Sequence, residues 1–158
     1  MDTLKGKRDT KKVILVLTER LTRNEIKIPM ASNTIESVLS SLNTLERRYG
    51  DMFPVVFQSI TVDNGSEFAD CVGMEKSCIH EGQRTKVYYC HPYSSWERGS
   101  NENQNKLIRR WIPKGTPIEN YTDEEIKKIE SWINSYPRRI LDGRAAVEVF
   151  QEHVAALC

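Results

Sequence analysis

The sequence predicts a mixed α/β sheet flanked by helices, in one domain spanning residues 1–158. Three observations predict it. Short apolar or alternating runs open the chain, as in an antiparallel meander. A strongly periodic helix follows at residues 33–49. Strand-like and helix-like segments then alternate, and helices close the chain. Antiparallel strands first and crossover helices later mark a mixed sheet with helices packed on it.

The elements follow in order. A short strand is expected around Asp2 to Leu4, with Gly6 and polar residues turning the chain. "KKVILVLTER" holds a buried strand from Val13 to Leu17. "RNEIKIPM", residues 23–30, alternates, and Pro29 is expected to end it. In residues 33–49, Asn33 is the expected cap, with Glu36 completing a capping box. Val38, Leu42 and Leu45 face inward there, and Gly50 stops the helix. "VVFQSITVD", residues 55–63, reads as a strand ending at Asp63. "TKVYYCH", residues 85–91, reads as another, with a short helix and a loop between the two. From Ser100 to Ile112 the pattern is helical, with Leu107, Ile108, Trp111 and Ile112 on one apolar stripe. Thr122 and Glu125 form a capping box for a helix that buries Ile126, Ile129 and Ile133 and stops before Pro137. Residues 145–157 make a last amphipathic helix.

Composition narrows the function. With 158 residues and 39% apolar content the chain can bury a core. A net charge of +1 means that any nucleic-acid binding rests on a local basic patch. No run of about 18 apolar residues is present, so no membrane span is expected. No signal peptide opens the chain, and a cytoplasmic location is expected. Cys71, Cys78, His80, Cys90 and His91 cluster in sequence, but their spacing fits no standard zinc pattern, and free thiols are expected.

The chemistry centres on carboxylates. Asp63 in "SITVDNGSEF" is either the first residue of an Asp-Asn-Gly turn or a metal ligand at a strand end. Asp2 alone is a residue near a terminus. Glu102, Lys106 and Arg109 share one exposed helix face, where Glu and Lys four apart are also an ordinary solvated pair. Together, two strand-borne aspartates and a helix-borne glutamate can converge at one sheet edge. Three such carboxylates repel one another unless a cation neutralises them. Oxygen ligands without imidazole favour Mg²⁺ or Mn²⁺. Two such ions serve in-line phosphoryl displacement.

The stretch "PYSSWERGSNENQNKLIRRWIPKGT", residues 92–116, resembles a signature of bacterial insertion-sequence transposases of family thirty. Their typical run is Pro-Tyr-Ser-Pro-Trp-Gln-Arg-Gly-Thr-Asn-Glu-Asn, then an apolar and basic helix and Pro-Lys-Gly-Thr. "TVDNGSEF" resembles their second motif and "MDTLKGKRDTKKVILVLTER" their first. "INSYPRRILDGRAAVEVF" is similar to their closing segment. Ser95, Lys106 and Ala146 depart from the family's usual residues.

The resemblance implies a ribonuclease H-like, integrase-type core with a five-stranded mixed sheet. It implies a D-D-E triad of Asp2, Asp63 and Glu102 holding two Mg²⁺ or Mn²⁺ ions. Glu97 is a rival for the third place, where the family usually has Gln. The implied activity is cleavage of transposon ends to free a 3′-hydroxyl, which then joins target DNA. Arg98, Asn101, Asn105, Lys106, Arg109, Arg110 and Lys114 are candidates for DNA contact, and a homo-oligomer on DNA is expected. Family members carry a helix-turn-helix region before this core; none precedes Asp2, so the catalytic core alone is expected. A nuclease that cuts without joining, and a non-catalytic DNA-binding or oligomerisation module, are the alternatives.

Overall fold

Strand β2, Val13–Thr18, is apolar from Val13 to Leu17 and buried on both faces, so it sits at the centre of the architecture. The computed structural model describes residues 1–91 and 105–157. β1 (Asp2–Lys5) and β3 (Glu25–Met30) pair with β2 on either side, both antiparallel, as the meander predicts. Side chains alternate across the sheet. Val13, Leu15 and Leu17 enter one core with α1 (Ile35–Tyr49). Ile14 and Val16 enter a second with Leu4, Ile108, Ile112 and α4 (Asp123–Ser135). The sheet is therefore covered on both faces.

β4 (Ser59–Val62) and β5 (Lys86–Tyr89) form a separate two-stranded parallel sheet. The expected five-stranded sheet is thus divided, among the described residues, into three strands and two. A backbone contact between the two groups is the Met1 terminal amine donating to the Thr61 carbonyl, at 2.6 Å, which lies outside the four residues of β1.

Local chemistry explains the edge of β3. Its outward amides at Glu25 and Lys27 donate to the side chains of Asn134, at 2.9 Å, and Glu130 on α4. Pro29, the next outward position, has no amide to satisfy, so it continues the strand opposite Ile14 instead of ending it. The Lys27 ammonium and Glu25 carboxylate pair with each other, both buried.

Three other expectations are corrected. Thr34, not Asn33, caps α1, its hydroxyl accepting from the Ser37 amide at 3.3 Å. Residues 55–58 are not strand: α2 is Phe53–Val56, with Pro54 preset in its first turn. Trp111 is 45% exposed rather than core, packed edge-on against Trp132. The capping box of Thr122 and Glu125 is present in both directions. The closing helix, α5, is Ala146–Leu157.

The connection from β4 to β5 is anchored by a buried ion pair. It contains α3, Cys71–Glu75. Arg84 reaches Glu46 of α1 at 3.0 Å and Asn43 at 2.6 Å, and also donates to the carbonyls of Met74 and Gly73. Burial alone would raise the Glu46 carboxyl, but hydrogen bonds from Ser77 and Cys78 and the Arg84 guanidinium outweigh it and hold it below its ordinary value. The unfolded chain then takes up this proton first as pH falls. The stabilisation is complete above the ordinary carboxyl range and is lost as pH drops through the lowered native value. Arg84→Met, which strands Glu46 in the core, should cost about 3–5 kcal/mol in urea unfolding at pH 7. Glu46→Gln should flatten the acid limb of the stability curve; an unchanged acid limb would show that another carboxylate governs it.

Candidate functional site

Asp2 lies at the start of β1, on the same face as Leu4. That face is covered by residues 105–112, which are helical over 105–108. Asn105 donates to one Asp2 oxygen at 3.2 Å, and the Thr3 amide donates to the other at 2.8 Å. Arg109, one turn on from Asn105, donates to the Lys5 carbonyl at 3.1 Å. It is half-buried, and burial pushes its guanidinium down from the ordinary arginine range. The face expected to be exposed is therefore divided: Lys106 is exposed, while Arg109 packs against β1.

Asp63 follows β4 directly. Its carboxylate accepts from the Gly65 amide at 3.1 Å, the local bond of an Asx turn. Asn64 reaches across to the Cys90 carbonyl at 3.3 Å, so the turn is tied to the end of β5. The turn reading of Asp63 is thus correct as geometry, and the turn sets the direction of its carboxylate.

The two aspartates belong to neighbouring strand ends. Met1 meets Thr61 of β4, and Thr3 meets Glu67 beyond the Asp63 turn, so the start of β1 lies beside the end of β4.

A third acid lies beside them, one that spacing did not single out for a role. Glu67 is buried, and one oxygen accepts from the Thr3 hydroxyl at 2.6 Å with Lys5 at 3.5 Å. Burial alone would raise its carboxyl; the hydrogen bonds from Thr3, its own amide and the Asn33 side chain, with the Lys5 charge, outweigh this and lower it. A Cβ on Gly65 would lie 2.7 Å from one Glu67 oxygen and 3.0 Å from an Asp63 oxygen, so only glycine lets both carboxylates approach the turn.

Glu102, Arg98 and Asn101, with the rival Glu97, lie outside the described residues. Arg110 and Lys114 are exposed. Among the described residues no group of three His, Cys, Asp or Glu side chains is arranged to hold a metal. The cysteine and histidine cluster does not converge on a common centre: His80 pairs with Asp51 at 2.9 Å, and Cys71, Cys78 and Cys90 are free thiols. No helix among the described residues is long and apolar enough to cross a membrane.

The fold defines a mixed α/β domain, with Asp2 at the start of β1 and Asp63 directly after β4. Comparison with known proteins gives the class. Over 148 residues, 94% of its length, the chain is 33% identical to a probable transposase for insertion-like sequence element IS1161 of Streptococcus salivarius, and covers 39% of it. It is 29% identical over 98% of its length to the transposase for insertion sequence element IS1086 of Cupriavidus metallidurans, covering 43% of that protein. It is 37% identical over 62% of its length to transposase InsI for insertion sequence element IS30A of Escherichia coli, covering 24% of it. The chain spans less than half the length of these curated relatives. No protein-family model matches it. The chain is related to the transposases of bacterial insertion sequence elements, those of the IS30 type included.

Gly65→Ala should destabilise the chain by about 1–3 kcal/mol, because Glu67 is held by three partners and cannot simply swing aside. Thermal and urea unfolding measure this; full stability would mean that the Glu67 contacts yield at no cost.

Proposed function

We propose that the chain is the catalytic core of a metal-dependent transposase that cleaves DNA ends and joins them to target DNA. In this reading the strands take the ribonuclease H-like order β3-β2-β1-β4-β5, and Asp2, Asp63 and Glu102 hold two divalent cations. What supports it is the contact between the segments that carry the two aspartates, the hydrogen bond from the Met1 amine to the Thr61 carbonyl. Glu102 stands three residues before Asn105 in the sequence, and Asn105 touches Asp2.

The donor set fits the cation. Asp2 accepts from the Thr3 amide and the Asn105 side chain, and Asp63 from the Gly65 amide, which orient two carboxylates as oxygen ligands. Oxygen ligands of this kind suit Mg²⁺ or Mn²⁺ rather than zinc. Such ions, when bound, stabilise the attacking and leaving oxygens of an in-line phosphoryl displacement. The residues of the chain do the rest. Asn105 orients Asp2, and the Asx turn orients Asp63. Exposed Lys106, Arg110 and Lys114 supply cations for DNA phosphates, joined by Arg98 and Asn101. Asn105 and Arg109 reach DNA only by leaving Asp2 and Lys5. Transposition requires two DNA ends held together, so the active form is a dimer or larger assembly on DNA.

Asp63→Asn keeps the shape and the turn preference while removing the charge. It should melt within a few degrees of the native chain. It should also lose Mn²⁺ binding in calorimetry, and both cleavage and joining of the ends of the element that encodes it. Native Mn²⁺ affinity and normal joining of precut ends in this variant would remove Asp63 from the site. Cleavage without joining in the native chain would favour a nuclease instead.

A further inference from the structure

We infer that Glu67 is a positioning residue: its buried carboxylate clamps β1 to the Asp63 turn and so sets the spacing of Asp2 and Asp63. This rests on the metal-holding role proposed for those two aspartates. Glu67 gathers partners from three separate parts of the chain. Thr3, next to Asp2, donates its hydroxyl at 2.6 Å; Lys5, from the same strand, lies at 3.5 Å. The Asn33 side chain, just before α1, is among the groups that hold the Glu67 carboxyl low. Glu67 itself follows the Asx turn, close enough to Gly65 and Asp63 to exclude a Cβ between them.

The geometry needs such a clamp. β1 is four residues long, and on its β4 side its contact is at Met1. Asp2 points to the face of Leu4 and Asn105, and Thr3 and Lys5 point to the other. Glu67 therefore grips β1 from the face opposite Asp2. It fixes the strand without touching the oxygens that a cation would take. A buried anion that lost these donors would remain costly, so the carboxylate, rather than a neutral side chain, holds all three partners at once.

Two variants and two measurements test this. Hydrogen exchange is followed residue by residue in native chain, Glu67→Ala and Glu67→Gln, at a temperature where near-UV circular dichroism shows all three folded. Glu67→Ala should speed exchange at residues 3–5 by about tenfold while leaving Val13 to Leu17 unchanged, a local opening. Glu67→Gln, which keeps an acceptor for Thr3, should show a smaller change at the same residues; it carries the test alone if the alanine variant does not fold. Mn²⁺ affinity should fall about tenfold in Glu67→Ala, as for other outer-sphere partners of metal ligands. Exchange that is unchanged at residues 3–5, or raised equally across all strands, overturns the clamp. If the native chain binds no Mn²⁺ through Asp63, the proposed function fails, while the exchange pattern still decides the role of Glu67. If Mn²⁺ binds the native chain and Glu67→Ala equally, Glu67 has no positioning role toward the metal.

Discussion

Strand β1 must satisfy neighbours on every side with four residues, and the rest of the site depends on how it does so. Its backbone pairs with β2 along one edge. Its other edge meets β4 at Met1 and Thr61. Leu4 and Asp2 face residues 105–112, while Thr3 and Lys5 face Glu67. Each contact taken alone is modest, about 1 kcal/mol for a typical hydrogen bond. Their value lies in direction: they converge on one short strand from both edges and both faces, and a carboxylate at its start inherits their rigidity.

The same logic recurs away from the site. The segment between β4 and β5 is long and weakly patterned, yet it is anchored by Arg84, which is fully buried and satisfied by Glu46, Asn43 and two carbonyls. The open edge of β3 is covered by Asn134 and Glu130, which accept the hydrogen bonds that another strand would take. In both places a polar side chain finishes what backbone ladders leave undone. The structure therefore depends on a few buried polar groups whose partners are distant in sequence.

That distance explains what the sequence does and does not reveal. The meander, α4 and its Thr122–Glu125 box were legible because their signals are local. The cap of α1 was misplaced by one residue because Asn33 and Thr34 are adjacent capping residue types, and Thr34 is the one whose side chain accepts from the Ser37 amide. Residues 55–58 were misread because a short apolar run is ambiguous between strand and helix, and Pro54 settles it in favour of a helical turn. Pro29 was expected to end a strand that continues, since an edge position needs no amide there. Asp2 and Asp63 were legible as candidates through their motifs. The contact from Met1 to Thr61 that brings their segments together was not, because its partners are 60 positions apart. Glu67 stood in plain view in the same motif as Asp63, but only its burial and its three partners mark it out.

The proposed function has Asp2 and Asp63 hold metal, and a single structural measurement tests it most directly. A crystal of the chain soaked in Mn²⁺, with anomalous scattering collected at the manganese edge, should show metal bound between the Asp2 and Asp63 carboxylates, with Glu102 as the further ligand. Manganese absent from that edge, with the two aspartates turned away from each other, would contradict the account.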